Sequence, residues 1–93
     1  MRLTVITLAP TGTSGRHLLD GAQVAAVLWV AATPEDRLEH ISTRSAPGRL
    51  HLGIFTTARS EAAAEAAALG ICRRALAMSP ILRDWSVRAV RPA

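Results

Sequence analysis

The sequence predicts an α+β domain of two layers, a four-stranded antiparallel sheet with two helices packed on one face. Three observations carry this expectation. Two β-rich runs, Glu39 to Arg44 and Arg49 to Thr57, flank the turn Ser45-Ala46-Pro47-Gly48. An alanine-rich helical run begins just after them. A last strand-like run, Leu82 to Val90, closes the order strand, turn, strand, helix, strand. With 93 residues the chain is expected to form a single domain spanning 1–93.

The first strand is read at Arg2 to Leu8, where Thr4, Val5, Ile6 and Thr7 favour extended backbone. Pro10, Gly12 and Gly15 punctuate a loop over Ala9 to Arg16. The next segment supports two readings. In one, Asp20 caps a helix with Gln23 at N3, and Val24, Val27, Leu28 and Ala31 fall on one helical face. In the other, Val27 to Ala31 is a strand, and a helix starts at Thr33 with Pro34 at N1 and acids in its first turn. The first is preferred, because the second runs a helix into the Arg44 to Pro47 turn and leaves the following strand without a hairpin partner.

Parity sets the register of that hairpin. With Pro47-Gly48 at the centre of a type II turn, Ala46 opposes Arg49, Arg44 opposes His51, Thr43 opposes Leu52, Ile41 opposes Ile54 and His40 opposes Phe55. Ile41, Thr43, Leu50, Leu52 and Ile54 then share one face; His40, Ser42, Arg44, His51, Gly53 and Phe55 share the other.

Ser60 is placed to cap the second helix, with Glu61 and Glu65 near its positive end. Leu69, Cys72 and Leu76 make its buried stripe, widened by Ile71, Ala75 and Met78, and Pro80 stops it. Gly70 costs about 1 kcal/mol against alanine in a helix interior, for which close approach to the sheet is an expected compensation. In the last strand Trp85, Val87 and Ala89 alternate with Asp84, Ser86 and Arg88, and Arg91-Pro92-Ala93 is expected to fray.

Composition narrows function by exclusion. The net charge is +4, all eleven basic residues are arginine, and they are scattered from Arg2 to Arg91 rather than gathered in a stripe. Nucleic acid is therefore not an expected partner. Cys72 is the single cysteine and falls in an apolar helical pattern, which reads as a buried inert thiol in a reducing, cytoplasmic setting. The apolar run Val24 to Ala32 is far short of the ~20 residues that span a bilayer, so no membrane partner is expected.

The assembled order βαββαβ resembles the ferredoxin-like fold, over nearly the whole chain. The abundance of arginine over lysine and the alanine-rich helices also resemble short ferredoxin-like proteins of high-GC actinobacteria. That resemblance brings no functional motif onto these residues, because the fold hosts many unrelated chemistries.

Each candidate motif is weaker than its structural alternative. The loop Pro10 to Arg16 has glycines, hydroxyls and an arginine, but no lysine follows Gly15, so the phosphate-loop pattern fails. His40 and His51 lie apart on one sheet face and His17 in a loop, a poor ligand set, and neither metal nor cofactor is expected. Asp84 is the best candidate for a catalytic carboxylate, on the open face of the last strand, yet its alternation with Ser86 and Arg88 reads equally as a solvated strand face. No residue pattern assigns a catalytic group, and the sequence leans away from an enzyme.

The sheet face without helices is the sharpest pointer. His40, Arg44, His51, Phe55, Asp84 and Arg88 are its candidate ligand or dimer residues, joined by Ile6 and Leu8 if the parity of the first strand puts them there. A face that mixes apolar and polar groups in this way is suited to a partner. Pairing of two such sheets resembles the dimeric α+β barrel family, which includes small monooxygenases, cyclases and non-catalytic binding proteins. The expected function is thus a homodimeric accessory or small-ligand-binding protein, paired through the open sheet face, with specialised metabolism as its setting. A dimeric α+β barrel tailoring enzyme, either a cyclase or a cofactor-free monooxygenase, is the alternative, and a weak nucleic-acid binder the second.

Overall fold

The computed structural model describes residues 1–12 and 19–92. Expectations that rest on 13–18, the phosphate-loop reading and the placement of His17 among them, lie outside the described residues. The chain runs β1 (Arg2–Pro10), α1 (Gly21–Ala31), β2 (Leu38–Ala46), β3 (Arg49–Thr56), α2 (Glu61–Met78) and β4 (Trp85–Pro92), with single 3-10 turns at Pro34–Asp36 and Pro80–Leu82. The strands form one antiparallel sheet in the order β2-β3-β1-β4. Both helices pack on the same side of it, α1 over β2 and α2 over the other three strands. This is the ferredoxin-like α+β sandwich.

The hairpin has the register that its turn implies. Ala46 pairs with Arg49, Arg44 with His51, Thr43 with Leu52, Ile41 with Ile54 and His40 with Phe55. Gly48 sits at φ 67, the positive value that the second central residue of a type II turn requires. Leu50, Leu52 and Ile54 are fully buried against the helices, joined by Ile6 and Leu8 of β1. The parity of β1 therefore sends Ile6 and Leu8 into the core, and Leu3, Val5 and Thr7 to the open face.

The segment after β1 follows the preferred reading: Val27 to Ala31 is helix and not strand, and only the start signal of the rival reading survives. Gly21–Ala31 is helical, with Asp20 as its N-cap accepting from the Ala22 N–H at 2.9 Å. The Thr33-Pro34 start signal is also used, but for one 3-10 turn, which Arg37 ends in the left-handed conformation (φ 57) before β2 begins. Asp36, 8% exposed, closes that turn by accepting from the Thr33 N–H at 2.7 Å and hydroxyl at 3.1 Å. It also accepts from Arg74 of α2, whose Nε donates to the Ala31 carbonyl at 2.9 Å. One guanidinium thus ties the C-terminal end of α1 and the turn after it to α2. It satisfies a helix-end carbonyl that α1 itself leaves unpaired.

Four expectations for the C-terminal half are corrected. The buried stripe of α2 is Ala64, Ala68, Ile71, Cys72 and Ala75, with Met78 52% exposed, because alanines let the helix lie close to the sheet. An added Cβ at Gly70 would meet the Arg74 guanidinium at 3.3 Å rather than the sheet. In β4 a bulge leaves Arg88 as an extra residue: Val87 opposes Leu8, while Ala89 opposes Thr7. Val87 and Val90 consequently pack on the core and Ala89 turns to the open face. The strand also continues to Pro92, with Arg91 paired to Val5, so Arg91 and Pro92 do not fray.

Candidate functional site

Paired residues in neighbouring strands point to the same side of a sheet, so the open face can be read as cross-strand rows. One row runs Arg44, His51, Thr7, Ala89 and the next Ser42, Gly53, Val5, Arg91. A third runs His40, Phe55, Leu3. Gly53 is the low point. A Cβ there would collide with the Ser42 hydroxyl and come within 3.3 Å of the Leu3 methyl Cδ1, so the absent side chain is what lets these neighbours lean inward.

The result is a depression of about 240 Å³ over the centre of the sheet. Leu3, Val5 and Gly53 give it an apolar floor; Ser42, Arg44, His51 and Arg91 give it a polar rim. No acidic side chain is among the described residues that line it. The His51 ring is held by Nδ1, 3.0 Å from the Thr7 hydroxyl, which leaves Nε2 as the nitrogen available to a ligand. His40 and Phe55 sit beside the depression with ring centroids 5.4 Å apart, each shielding one side of the other.

The six sequence candidates are therefore placed in different parts of the molecule. Arg44 and His51 line the depression, and His40 and Phe55 flank it. Arg88 is exposed at the β4 bulge. Asp84 lies one residue ahead of β4, where its backbone carbonyl accepts from the Thr11 N–H at 2.8 Å. It lines a separate hollow of about 350 Å³ with Asp20, Gln23 and Arg83. His51 and Asp84 thus line different cavities, and neither cavity includes Arg88.

Arg91, Leu3 and Val5 are the site residues that sequence reasoning missed. Arg91 reaches the face because of the bulge, and nothing in the local sequence marks one. Leu3 and Val5 were obscured by β1 itself, where Leu, Val and Ile occupy both parities.

Potential reactive groups elsewhere are muted. Burial pushes the Cys72 thiol up to about 12, which keeps it protonated and poorly nucleophilic at neutral pH. Among the described residues no three metal-ligating side chains converge. No helix among them is long and apolar enough to cross a membrane. The central strands β3 and β1 offer Phe55 on one and no aromatic on the other, half of what a base-stacking sheet uses. No protein-family model and no curated protein matches this chain.

Proposed function

We propose that this chain is a homodimeric, non-enzymatic accessory module that binds a small molecule on the open face of its sheet, in a cytoplasmic setting. The depression over Gly53 carries this reading. It joins an apolar floor to a rim of hydrogen-bond donors, the combination that small-molecule sites use for affinity and orientation respectively. Among the described residues that line it there is no carboxylate to orient or charge-balance a catalytic His51, which favours binding over catalysis. Pairing draws its support from the same face: Leu3, Val5 and Phe55 are only half-buried in a single chain, and a second copy laid across them would complete their burial. Sedimentation over a wide concentration range tests the pairing, and a chain that stays monomeric throughout removes that half of the reading.

One observation favours a second reading of the pairing surface. α1 has no charged residue from Gly21 to Ala31; its outer side exposes Trp29 (47%) and Val30 (72%), and Val30 shares a shallow hollow with Met78 (52%) of α2. A pair formed through this helical side would leave the sheet face free for its ligand.

A further inference from the structure

The depression on the open face carries a charge pattern as well as a shape, and the charge pattern bears on the kind of molecule that sits there. We propose that the open face selects a compact apolar acid, its carboxylate or phosphate held between Arg44 and Arg91 and its apolar body lying on Val5 and Leu3. This inference rests on the proposed ligand-binding role of the same face.

Four observations support it. Arg44 comes from edge strand β2 and Arg91 from edge strand β4, and both line one depression from opposite sides. The two edge strands stand three strand spacings apart, ~14 Å between backbones. Arg44 and Arg91 also stand one row apart, so their backbones are ~16 Å apart, a span that two extended arginine side chains can close from either side onto one anion. Among the described residues neither arginine pairs with a carboxylate; the ion pair found there is Arg74 with Asp36, on the helical side. Two unneutralised guanidinium groups beside low-dielectric apolar floor favour an anion, and their forked donors match carboxylate and phosphate geometry. His51, anchored through Nδ1, offers its other nitrogen to the same rim.

Size and shape restrict the rest of the ligand. The depression, about 240 Å³, lies below the ~300 Å³ at which drug-sized pockets begin, so the body is compact. It is a dent and not a stripe, and the His40–Phe55 pair occupies one flank. A polyanion gains little from such a shape, since phosphate-tracking surfaces need extended lines of positive charge.

Backbone-amide NMR titration of the full chain tests this with three acids, each beside an uncharged counterpart: hexanoate and hexanamide, benzoate and benzamide, phenyl phosphate and phenol. The expected result is saturable movement of the Val5, His51 and Gly53 amides with at least one acid, and binding of its neutral counterpart weaker by about tenfold or more. Arg44→Gln and Arg91→Gln each weaken that acid by a similar factor, whereas Arg73→Gln, on an exposed position of α2, leaves it unchanged. Equal binding of acid and neutral counterpart overturns the anion inference while keeping the ligand reading. No movement on this face with any of the probes overturns both. A single-stranded oligonucleotide that moves the same amides more tightly than every acid, with affinity falling steeply as salt rises, replaces the acid with nucleic acid.

Discussion

The open face of the sheet and the outer side of α1 are both exposed and both partly apolar, yet they are built from opposite chemistry. The sheet face sets Leu3, Val5 and Phe55 among Arg44, Arg91 and two histidines, and shapes them around Gly53. The outer side of α1 offers Trp29 and Val30 with no charge in the helix at all. Apolar area alone drives association without choosing a partner; fixed donors and charges choose one. The contrast is the ground for the proposed recognition role of the sheet, and it leaves α1 as the rival for the proposed pairing.

The largest expected effect separates those two roles. Val5→Arg places a third cation in the middle of the open face and is expected to abolish pairing, while Trp29→Arg leaves it intact. Sedimentation equilibrium reads both. Pairing lost in Trp29→Arg but kept in Val5→Arg moves the interface to the helical side. Salt sharpens the same test. Two sheet faces brought together oppose their arginines, so added salt should strengthen pairing by screening the repulsion. A pair through the uncharged outer side of α1 would respond little.

Next in size is Arg74→Ala. It strips Asp36 of its ionic partner and the Ala31 carbonyl of its donor, at a carboxylate whose side chain is 10% exposed. Because the Arg74 side chain is itself 43% exposed, the loss should fall below that of a fully buried pair, at about 2 kcal/mol in urea denaturation. The effect should fall on the helical layer, leaving ligand binding at the sheet face unchanged. A loss below about 0.5 kcal/mol would mean that water replaces the guanidinium at little cost.

These two regions also differ in how far they can be read from sequence. The hairpin was legible because Pro47-Gly48 pins one turn, and period-two alternation then assigns His40, Arg44, His51 and Phe55 to one face without further information. β4 was not, because the bulge at Arg88 resets parity midway: it moves Ala89 outward, Val90 inward and Arg91 onto the site. The Thr33-Pro34-Glu35-Asp36 signal was real but described a single turn, since a start signal carries no information about length. Arg74 and Asp36 were each visible as charged residues. Their contact spans 38 positions and depends on α1 and α2 packing side by side, which no local pattern encodes.

A smaller effect is expected at Gly53, the glycine of the sheet face. Gly53→Ala pushes a methyl group into the space of the Ser42 hydroxyl and against Leu3, and is expected to cost about 1 kcal/mol as local overpacking. It should also fill the depression, so that benzoate or any other acid that moves the Val5 amide in the parent chain no longer does so. Acid binding that survives Gly53→Ala would place the ligand away from the row that Gly53 shares with Val5 and Arg91.

The smallest effect has the opposite sign and falls on the corresponding glycine of the helical layer. Gly70→Ala also introduces a Cβ next to a neighbour's side chain, but the neighbour is the terminal nitrogen of Arg74 at 3.3 Å, the far end of a flexible chain. A shift of a few tenths of an ångström relieves that contact. Against it stands the gain of replacing glycine by alanine inside an 18-residue helix, about 1 kcal/mol before any strain is subtracted. The expected net is a stabilisation of about 0.5 kcal/mol, read as a higher urea midpoint with an unchanged slope. If Gly70→Ala instead destabilises, the Arg74 guanidinium is held too tightly by Asp36 and Ala31 to yield. The double variant Gly70→Ala with Arg74→Ala would then recover the alanine gain relative to Arg74→Ala alone. Either result measures how rigidly α1 is tied to α2, and so how well the uncharged outer side of α1 is kept in place compared with the sheet face.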